Sequence, residues 1–333
     1  MSERPLDILV LGGTAWLGAL TARVALERGH RVTCLARGES GAVPAGATLV
    51  AADRDEPGAY DVAANRDWDA VIEVSWQPRH VREAAQALRA RHWTYISSVA
   101  AYEPTRIMID ESAPLREPAA VDERVDGSRY DAAKVRCEAD TVSSHPAALL
   151  VRAGVIGGPG DPTDRLASWP RRAAVAGSGP MLVPAEPSVP VQVIDVRDLV
   201  AWLLDAIEAG LTGPVNVVGE QMTMRAMIDA AREVAGATGR VVEAPGPWLH
   251  DHGVREWKGA DSLGLWVDDD GAGARCGFHD DSRYLATGGR RRPFKETLAD
   301  VLAEELALGV SRAGTAGLSR ARELELIGER ERA

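Results

Sequence analysis

The sequence is poor in lysine and cysteine, and each shortage narrows what the protein can be. Lysine supplies only three of the 38 basic residues, so arginine takes nearly every other position with a positive charge. The three cysteines are odd in number and widely spaced, which gives no disulfide framework and is typical of a reducing compartment. With a net charge of -11, the chain lacks the basic field that general nucleic-acid binding needs.

Long apolar runs are absent as well. No run approaches the ~20 residues of a membrane span, and the first residues lead directly into a strand pattern without a secretory signal. We therefore expect a cytoplasmic protein whose partner is a small-molecule substrate, with neither nucleic acid nor membrane involved. The 333 residues, 45% of them hydrophobic, suffice for one large globular domain or two of ordinary size.

The most informative stretch is an apolar run over residues 7–11 that leads into a glycine turn and a predicted helix at 19–28. Gly12 and Gly18 occupy the outer positions of a dinucleotide fingerprint, and Ala15 takes the middle one. Such a turn lets the backbone approach a pyrophosphate, and the helix N-terminus beyond it offers N–H groups to the anion. The predicted cofactor-binding residues of this stretch are Gly12, Thr14, Ala15, Trp16 and Leu17.

The rest of the first half alternates apolar strand patterns with helix patterns. Strands are predicted at 31–36, 47–52, 68–74, 93–98 and 147–152, with helices at 79–91 and 128–145 and a long polar loop at 103–129. This alternation predicts an α/β fold with a parallel, doubly wound sheet. Right-handed crossovers would bring the carboxyl ends of the strands to one edge, where ligands bind. Arg37, Asp53, Ser75 and Ser98 would share that edge with the glycine turn.

The second half is less regular. Strands are predicted at 191–195 and 215–218, and helices at 196–209, 223–234 and 293–308. Residues 240–292 show no clear period. Residues 311–333 are charged and alanine-rich, which indicates a terminal helix or a frayed tail.

The end of the second strand bears on the choice of cofactor. An acidic residue there binds the 2′-hydroxyl of NAD, whereas an arginine accommodates the 2′-phosphate of NADP. Neither Leu35 nor Ala36 is acidic, and Arg37 follows, so the pattern favours NADP (NADPH) over NAD; the alternative is an exposed loop arginine. Asp53, after the third strand, could accept a hydrogen bond from the adenine amino group or cap the next helix.

The chemistry is predicted to lie with Ser98, Tyr130 and Lys134. Four residues separate Tyr130 from Lys134, which puts both on one face of a helix, one turn apart. Because lysine is so scarce here, such a pair would arise by chance only about one time in twenty. A lysine ammonium favours the phenolate of a nearby tyrosine, so Tyr130 could exchange a proton with a carbonyl oxygen during hydride transfer. Ser98 would bind the same oxygen, and Lys134 could also bind the nicotinamide ribose.

Three stretches, Gly12–Gly18, Tyr95–Tyr102 and Tyr130–Lys134, together resemble the extended and atypical short-chain dehydrogenase/reductases, the NAD-dependent epimerase/dehydratase group. In the Ser-Ser-x-x-x-Tyr stretch of that family the serine four residues before the tyrosine is catalytic, which identifies Ser98. The resemblance runs from residue 6 to about residue 308.

The resemblance implies a domain organisation and a cofactor site. A Rossmann domain would comprise residues 1–155 plus about 190–218. A smaller, discontinuous C-terminal substrate domain would comprise about 156–189 and 219–310, followed by the charged tail 311–333. Ser75, Gly154, Tyr130 and Lys134 complete the predicted cofactor site. A homodimer formed through helices of the Rossmann domain is implied in the same way.

Other polar and aromatic groups leave alternatives open. His250, His252, Cys276 and His279 fit no zinc spacing, so no metal is predicted. Asp161, Asp164 and Arg165 could hold a polar substrate or fix the glycine-rich loop at 157–162. Arg165, Arg171 and Arg172 form a basic cluster that leaves a diphosphate site open. Tryptophans that could line an aromatic pocket or pack in a core are Trp76, Trp169, Trp248, Trp257 and Trp266.

Three functions follow. The main prediction is an NADPH-dependent oxidoreductase that reduces a ketone or imine of a small molecule, with Tyr130 as proton donor. The first alternative is a nucleotide-sugar epimerase or dehydratase with tightly bound NAD, which would use the same three residues and need a diphosphate site. An alternative of another class is a non-catalytic dinucleotide sensor or RNA-associated protein. Both the Ser98, Tyr130 and Lys134 set and the net charge of -11 argue against that class.

Overall fold

The computed structural model describes residues 4–105, 107–121, 124–185, 189–268 and 277–332. The strands are β1 (Asp7–Leu11), β2 (Arg31–Ala36), β3 (Thr48–Ala51), β4 (Asp67–Glu73), β5 (Arg89–Ser98), β6 (Leu149–Ala153), β7 (Val155–Gly157), β8 (Met181–Pro184), β9 (Pro190–Val191), β10 (Val193–Asp195), β11 (Gly213–Val217), β12 (Met222–Thr223), β13 (Val241–Ala244), β14 (Arg255–Trp257) and β15 (Ser262–Gly264). The helices are α1 (Trp16–Glu27), α2 (Asp61–Ala64), α3 (Pro78–Ala87), α4 (Tyr130–Ser144), α5 (Ser168–Ala176), α6 (Val196–Glu208), α7 (Met224–Val234), α8 (Gly246–Asp251), α9 (Ser282–Ala286), α10 (Phe294–Leu308) and α11 (Arg320–Arg330).

Seven strands form one parallel sheet in the order β11-β6-β5-β4-β1-β2-β3. The chain runs outward from β1 through β2 to β3, then returns to the other side of β1 and runs outward again from β4. This confirms the predicted α/β Rossmann-type fold. The order reverses between β1 and β4, and ligands bind in the crevice beyond the carboxyl ends of strands at such a switch point.

Alternation of side chains along β1 explains how the sheet is covered on both faces. Ile8 and Val10 join a buried cluster with residues of α1 and α6, whereas Leu9 and Leu11 join a second cluster with residues of α3. Successive side chains of a strand point to opposite faces, so a continuous apolar run is what a strand buried on both faces requires.

A third buried cluster lies among the elements of the second half of the chain. It includes Trp169 of α5, Leu182 of β8, Met227 of α7 and Leu326 of α11. β8 pairs with β13 in a separate two-stranded parallel sheet. This cluster gives the second half an apolar core of its own, while the predicted domain boundaries stay a prediction.

Several sequence-based boundaries need correction. The helix predicted at 79–91 ends at Ala87, because Leu88 is extended and β5 begins at Arg89. The strand predicted at 191–195 is divided into β9 and β10, which pair with β12 and β7 respectively. The stretch 240–292 contains β13, α8, β14, β15 and α9, so the prediction of an irregular segment was wrong there. These elements are three to six residues long, too short for a hydrophobic period to be recognised.

The polar segment 103–129 is a long connection, as predicted. Its described residues 103–105, 107–121 and 124–126 form isolated bridges, such as Tyr102 with Leu115 and Ile109 with His279, and no strand or α-helix. A short 3-10 turn, Gly127–Arg129, then leads into α4. Across the described ranges of the chain, no helix combines the length and the apolar character needed to cross a membrane.

Candidate active site

The glycine turn after β1 lies at the switch point of the sheet. Gly12 has a positive φ of 95°, and a Cβ atom built there would come within 2.5 Å of Val74 Cγ2, just after β4. A Cβ atom on Gly18 would lie 2.3 Å from Gly12 O. Gly18 is therefore required by close packing of α1 on the turn, and Gly12 by its positive φ and its contact with Val74, whatever ligand the turn holds.

The N-terminus of α1 follows this turn without a side-chain cap. Ala15 is the N-cap residue, it is extended (φ −84°, ψ 160°), and no side chain of the described residues bonds to the first-turn N–H groups in its place. Ala15 is exposed, while Thr14 is buried below it. Exposed N–H groups at a helix start form an anion site, and a methyl group at residue 15 leaves the approach open.

Tyr130 and Lys134 lie on the first turns of α4, on one side of the helix. Lys134 is buried, and its ammonium donates a 2.6 Å hydrogen bond to the carbonyl oxygen of Ile96 in β5. The same ammonium lies 5.6 Å from the centre of the Tyr130 ring, which is half-buried. The bond to Ile96 therefore fixes a positive charge beside the Tyr130 ring.

The two serines at the end of β5 have separate roles because strand residues alternate in direction. Ser97 is buried and donates a hydrogen bond to Glu138, so it belongs to the packing between β5 and α4. Ser98 is half-buried, and its Oγ accepts a 3.2 Å hydrogen bond from the N–H of Ala100. This hydrogen bond caps the turn that follows β5. A hydroxyl can accept one bond and still donate its own proton, so this cap is compatible with the predicted role in catalysis.

Arg116, which the sequence did not single out, ties the Ser98 side of the site to the Tyr130 side. Its Nε donates to the carbonyl oxygen of Ala100 (3.2 Å), and its Nη1 lies 3.2 Å from the Asp131 carboxylate. Ala100 follows Ser98 by two residues, and Asp131 follows Tyr130 directly. We infer that Arg116 positions these two side chains relative to each other.

We predict that Arg116→Ala lowers kcat by about 10–100-fold, because small displacements of reacting groups have effects of that size. Cofactor binding and thermal stability should change little, since Arg116 is partly exposed. The matched control is Arg124→Ala, which removes a strongly exposed arginine of the same loop. Steady-state kinetics and cofactor titration of both variants check this; an equal loss of kcat in both would contradict the positioning role.

The other predicted cofactor residues lie at the same edge of the sheet. Asp53 follows β3, but its carboxylate accepts a 2.9 Å hydrogen bond from the N–H of Asp55 and so stabilises its own turn. Ser75 follows β4, where its Oγ accepts from the N–H of Gln77. Gly154 follows β6 and packs against Val218. These positions form a rim around the turn, and their assignment as cofactor ligands stays a prediction.

A buried ion pair fixes the part of the rim between β3 and β4. Arg54 forms two hydrogen bonds to Glu73 (2.9 and 2.5 Å) and one to the hydroxyl of Tyr60. Glu73 also accepts from the N–H of Ser75 (2.8 Å). Neither Arg54 nor Glu73 was predicted as a site residue. The pair joins the loop that carries Asp53 to the loop that carries Ser75.

The basic cluster predicted for a diphosphate needs correction. Arg171 is buried between Glu305 (2.9 Å) and Asp164 (3.5 Å), and Arg172 is buried against Glu323 (2.5 Å). Both guanidinium groups are neutralised inside the protein, so they are not available to a diphosphate. Asp164 is likewise bound by Arg312 and by the N–H of Thr315, so it fixes the loop rather than holding a substrate.

The tryptophans divide between the site and the core. Trp76 lies 5.7 Å from Tyr130, between ring centres, and the Arg165 guanidinium lies 5.2 Å from the Trp257 ring centre. Trp169 and Trp266 are fully buried in the apolar cluster of the second half. Trp248 packs at the edge of that cluster and stacks on His252. Two of the five, Trp76 and Trp257, therefore lie beside groups of the candidate site.

The metal alternative gains no support. His250 lies near Glu256 and Asp268, and His279 lies near Tyr102. Cys276 lies outside the described residues. Within the described part of the chain, no three His, Cys, Asp or Glu side chains come together as metal ligands would.

The edge of the sheet carries the features that a dinucleotide site uses. Gly12 and Gly18 allow the turn to pack closely, α1 begins without a side-chain cap, and both features lie at the switch point. Gly12, Thr14, Ala15, Trp16 and Leu17 would hold the pyrophosphate portion. Tyr130 and Lys134 lie on the β5 side of the same edge. The class of fold is thus a Rossmann-type α/β fold with a Tyr–Lys helix beside the switch point.

Comparison with solved structures shows which known proteins share this fold. The fold is shared with Bordetella bronchiseptica WbmG in complex with NAD (18% identity, TM-score 0.66, 92% of this chain and 96% of that one). It is also shared with UDP-glucose 4-epimerase of Thermus thermophilus in complex with NAD (18%, 0.64, 90% and 98%). A third is UDP-glucuronic acid 4-epimerase of Bacillus cereus in complex with NAD (12%, 0.65, 91% and 99%). No family profile and no curated protein matches the sequence.

The prediction of NADP is wrong on this comparison, because the related complexes contain NAD. The structure supplies a physical reason. Arg37 is exposed, and its Nε lies 3.3 Å from the carboxylate of Glu39, so its charge is largely compensated by a neighbour. The acid two residues beyond the arginine was visible in the sequence and was missed, because the rule was applied only to the last residues of the strand.

Proposed function

We propose that this protein is an NAD-dependent enzyme of the extended short-chain dehydrogenase/reductase type that acts on a nucleotide sugar as an epimerase or dehydratase. The observation that carries the proposal is the buried Lys134 ammonium beside Tyr130, at the sheet edge that also bears the uncapped turn at Gly12–Gly18. The shared fold with NAD-bound epimerases supports this function over the reduction of a ketone or imine with NADPH.

Tyr130, Ser98 and Lys134 have different roles in the transfer of a proton. When bound, NAD would supply the hydride chemistry: its oxidised form accepts a hydride and its reduced form returns it. Tyr130 takes the proton of the substrate hydroxyl at its phenol oxygen and returns it in the reverse step. Ser98 donates its hydroxyl proton to the same substrate oxygen, which stabilises charge there. Lys134 holds a positive charge beside the Tyr130 ring, at 5.6 Å from the ring centre.

A first test asks whether the protein retains its cofactor. An epimerase or dehydratase regenerates its NAD in each cycle, so we expect purified protein to release about one equivalent of NAD on denaturation. Chromatography of the extract measures the amount and the oxidation state. Protein that arrives empty and binds neither NAD nor NADH on titration would contradict the proposal.

We predict that NAD binds at least about 10-fold more tightly than NADP. The 2′-phosphate carries about two negative charges and would approach Glu39, whose carboxylate already pairs with Arg37. Glu39→Gln should reduce the ratio of the NAD affinity to the NADP affinity by about 3–10-fold. Glu27→Gln, which removes an exposed carboxylate of α1, is the matched control and should leave it unchanged. Calorimetric titration of both nucleotides measures the ratio.

The domain organisation is part of the proposal. Residues 1–155 with about 190–218 would bind NAD, and about 156–189 with 219–310 would bind the substrate. The separate apolar cluster around Trp169 and Met227 supports this division. Assembly as a homodimer stays a prediction.

A further inference from the structure

The loop that follows β7 brings a second set of groups to the candidate site. The indole N–H of Trp16, the first residue of α1, donates a 3.0 Å hydrogen bond to the carbonyl oxygen of Pro159. A Cβ atom on Gly160 would lie 3.0 Å from the same indole nitrogen, so the loop packs tightly on the start of α1. The loop continues from this contact to Arg165.

Arg165 differs from the other arginines around this loop. Arg171, Arg172 and Arg312 each pair with at least one carboxylate. The Nε of Arg165 donates to the Thr163 hydroxyl (3.0 Å), and no carboxylate of the described residues lies within 4 Å of its guanidinium. Among these four arginines, Arg165 is therefore the one whose positive charge is not paired with a carboxylate of the described residues at short range.

The surroundings of the Arg165 guanidinium leave it open to an anion. The side chain is half-buried, and burial lowers the pKa of Arg165, while the charge of Asp161 opposes that shift. The Asp161 carboxylate accepts hydrogen bonds from the N–H and hydroxyl of Thr163 (2.9 and 2.8 Å), so it reaches Arg165 through that hydroxyl and not as a direct ion pair. A half-buried guanidinium without a carboxylate at short range is well placed to bind an anion of the ligand.

Two residues near Arg165 have a left-handed backbone. Asp164, which precedes Arg165, has φ +53°, and it is held there by Arg312 (2.8 Å) and the N–H of Thr315 (2.6 Å). Trp257, whose ring lies beside the guanidinium, has φ +68°. Left-handed backbone is unfavourable for a bulky residue such as tryptophan, persists only when surrounding contacts impose it, and concentrates at ligand sites.

We propose that Arg165 binds an anionic group of the substrate, a carboxylate or a phosphoryl group. The proposal rests on the proposed function, because it takes this edge of the sheet, where the loop packs on the start of α1, as the place where the substrate binds. A planar guanidinium held beside an aromatic ring is suited to bidentate binding of either anion. The substrate would then be an acidic rather than a neutral sugar derivative.

The test compares ligands that differ by one anionic group, on NAD-loaded protein. Comparing UDP-glucuronate with UDP-glucose detects recognition of a carboxylate. Comparing glucose 6-phosphate with glucose detects recognition of a phosphoryl group. Acetate and inorganic phosphate, at ionic strength balanced with KCl, are probes that need no further substrate contacts. Calorimetry measures the affinities, and the thermal midpoint reports the two small anions. Variants are Arg165→Ala and Arg165→Lys, with Arg23→Ala as an exposed-arginine control.

We expect the charged member of one pair to bind at least about 10-fold more tightly, and acetate or phosphate to raise the midpoint by about 2 °C at about 50 mM. Arg165→Ala should abolish both effects, Arg165→Lys should keep part of them, and Arg23→Ala should keep them fully. Effects that survive Arg165→Ala, or absence of any anion effect in the wild type, would overturn the proposal. NAD content is measured on the same samples, so failure of the proposed function appears separately as protein that binds no NAD.

Discussion

Tyr130→Phe should lower turnover by about 10²–10⁴-fold, the range that a positioned proton donor and acceptor contributes. The affinity for NAD should change by less than about 2-fold. The substitution removes only the phenol oxygen, while the ring keeps its packing 5.7 Å from Trp76 and its place beside the Lys134 ammonium. The loss should therefore appear in kcat rather than in cofactor content.

Single-turnover measurements sharpen this test, because they follow reduction of bound NAD by its absorbance without product release. The control is Tyr284→Phe, which removes a phenol that donates to the Arg290 carbonyl oxygen, within the core between the sheet and α6. That variant should lose about 0.5–1.5 kcal/mol of stability and no activity. Wild-type rates of NAD reduction in Tyr130→Phe would remove Tyr130 from the mechanism.

The sequence predicts those parts of the site that depend on residues close together in the chain. A strand, a glycine turn and a helix follow one another at residues 7–27, and each is specified by neighbours in the chain. The step from Tyr130 to Lys134 is a property of a single helix. Likewise, the alternation of side chains along a strand explains why Ser97 and Ser98 point to opposite faces, so that Ser97 bonds to Glu138 while Ser98 caps the following turn.

The interpretations that failed depend on partners far along the chain. Arg165, Arg171 and Arg172 are indistinguishable as residue types and lie close together in sequence. Their environments differ because Glu305 and Glu323 pair with the latter two and leave Arg165 to the site. These partners are separated by 134 and 151 residues, which gives no periodic signal, so the sequence could not divide this cluster.

The same limit applies to Arg116. Its two contacts, Ala100 and Asp131, lie about 15 residues away on either side, in a polar segment without regular structure. Arg116 reaches both contacts only when the loop is folded back on the edge of the sheet, so the sequence alone could not identify its role. The prediction of NADP from Arg37 failed for a different reason. The partner of Arg37, Glu39, is only two residues away, and the rule that favoured NADP ignored an acid beyond the strand.

The C-terminal segment shows how a charged stretch can be part of a core. In α11, Leu326 and Ile327 are buried in the second-half cluster, and Glu323 is 1% exposed. Glu323 accepts hydrogen bonds from Arg172 (2.5 Å), from the N–H of Leu182 (3.1 Å) and from Arg320 (2.8 Å). A segment that the sequence left as either a helix or a frayed tail is thus a docked helix, anchored by a buried carboxylate.

Glu323→Ala should therefore reduce the free energy of unfolding by about 3–5 kcal/mol, because it leaves a buried guanidinium without its counter-charge. Within the described residues, Nε and Nη1 of Arg172 already have no hydrogen-bond partner, so only the Leu182 carbonyl oxygen would remain. Urea unfolding followed by tryptophan fluorescence measures the change.

Two companion variants identify the cause of that loss. Glu325→Ala removes an exposed carboxylate of the same helix, which pairs with Arg322 at 2.7 Å, and should change stability by no more than about 1 kcal/mol. Combining Glu323→Leu with Arg172→Met removes both buried charges, and it should be more stable than Glu323→Ala. Equal losses in Glu323→Ala and Glu325→Ala would mean that α11 is not anchored by this pair. A double variant no more stable than Glu323→Ala would attribute the loss to the Leu182 and Arg320 contacts, because both proteins lack those bonds, whereas only Glu323→Ala leaves the Arg172 guanidinium without its counter-charge.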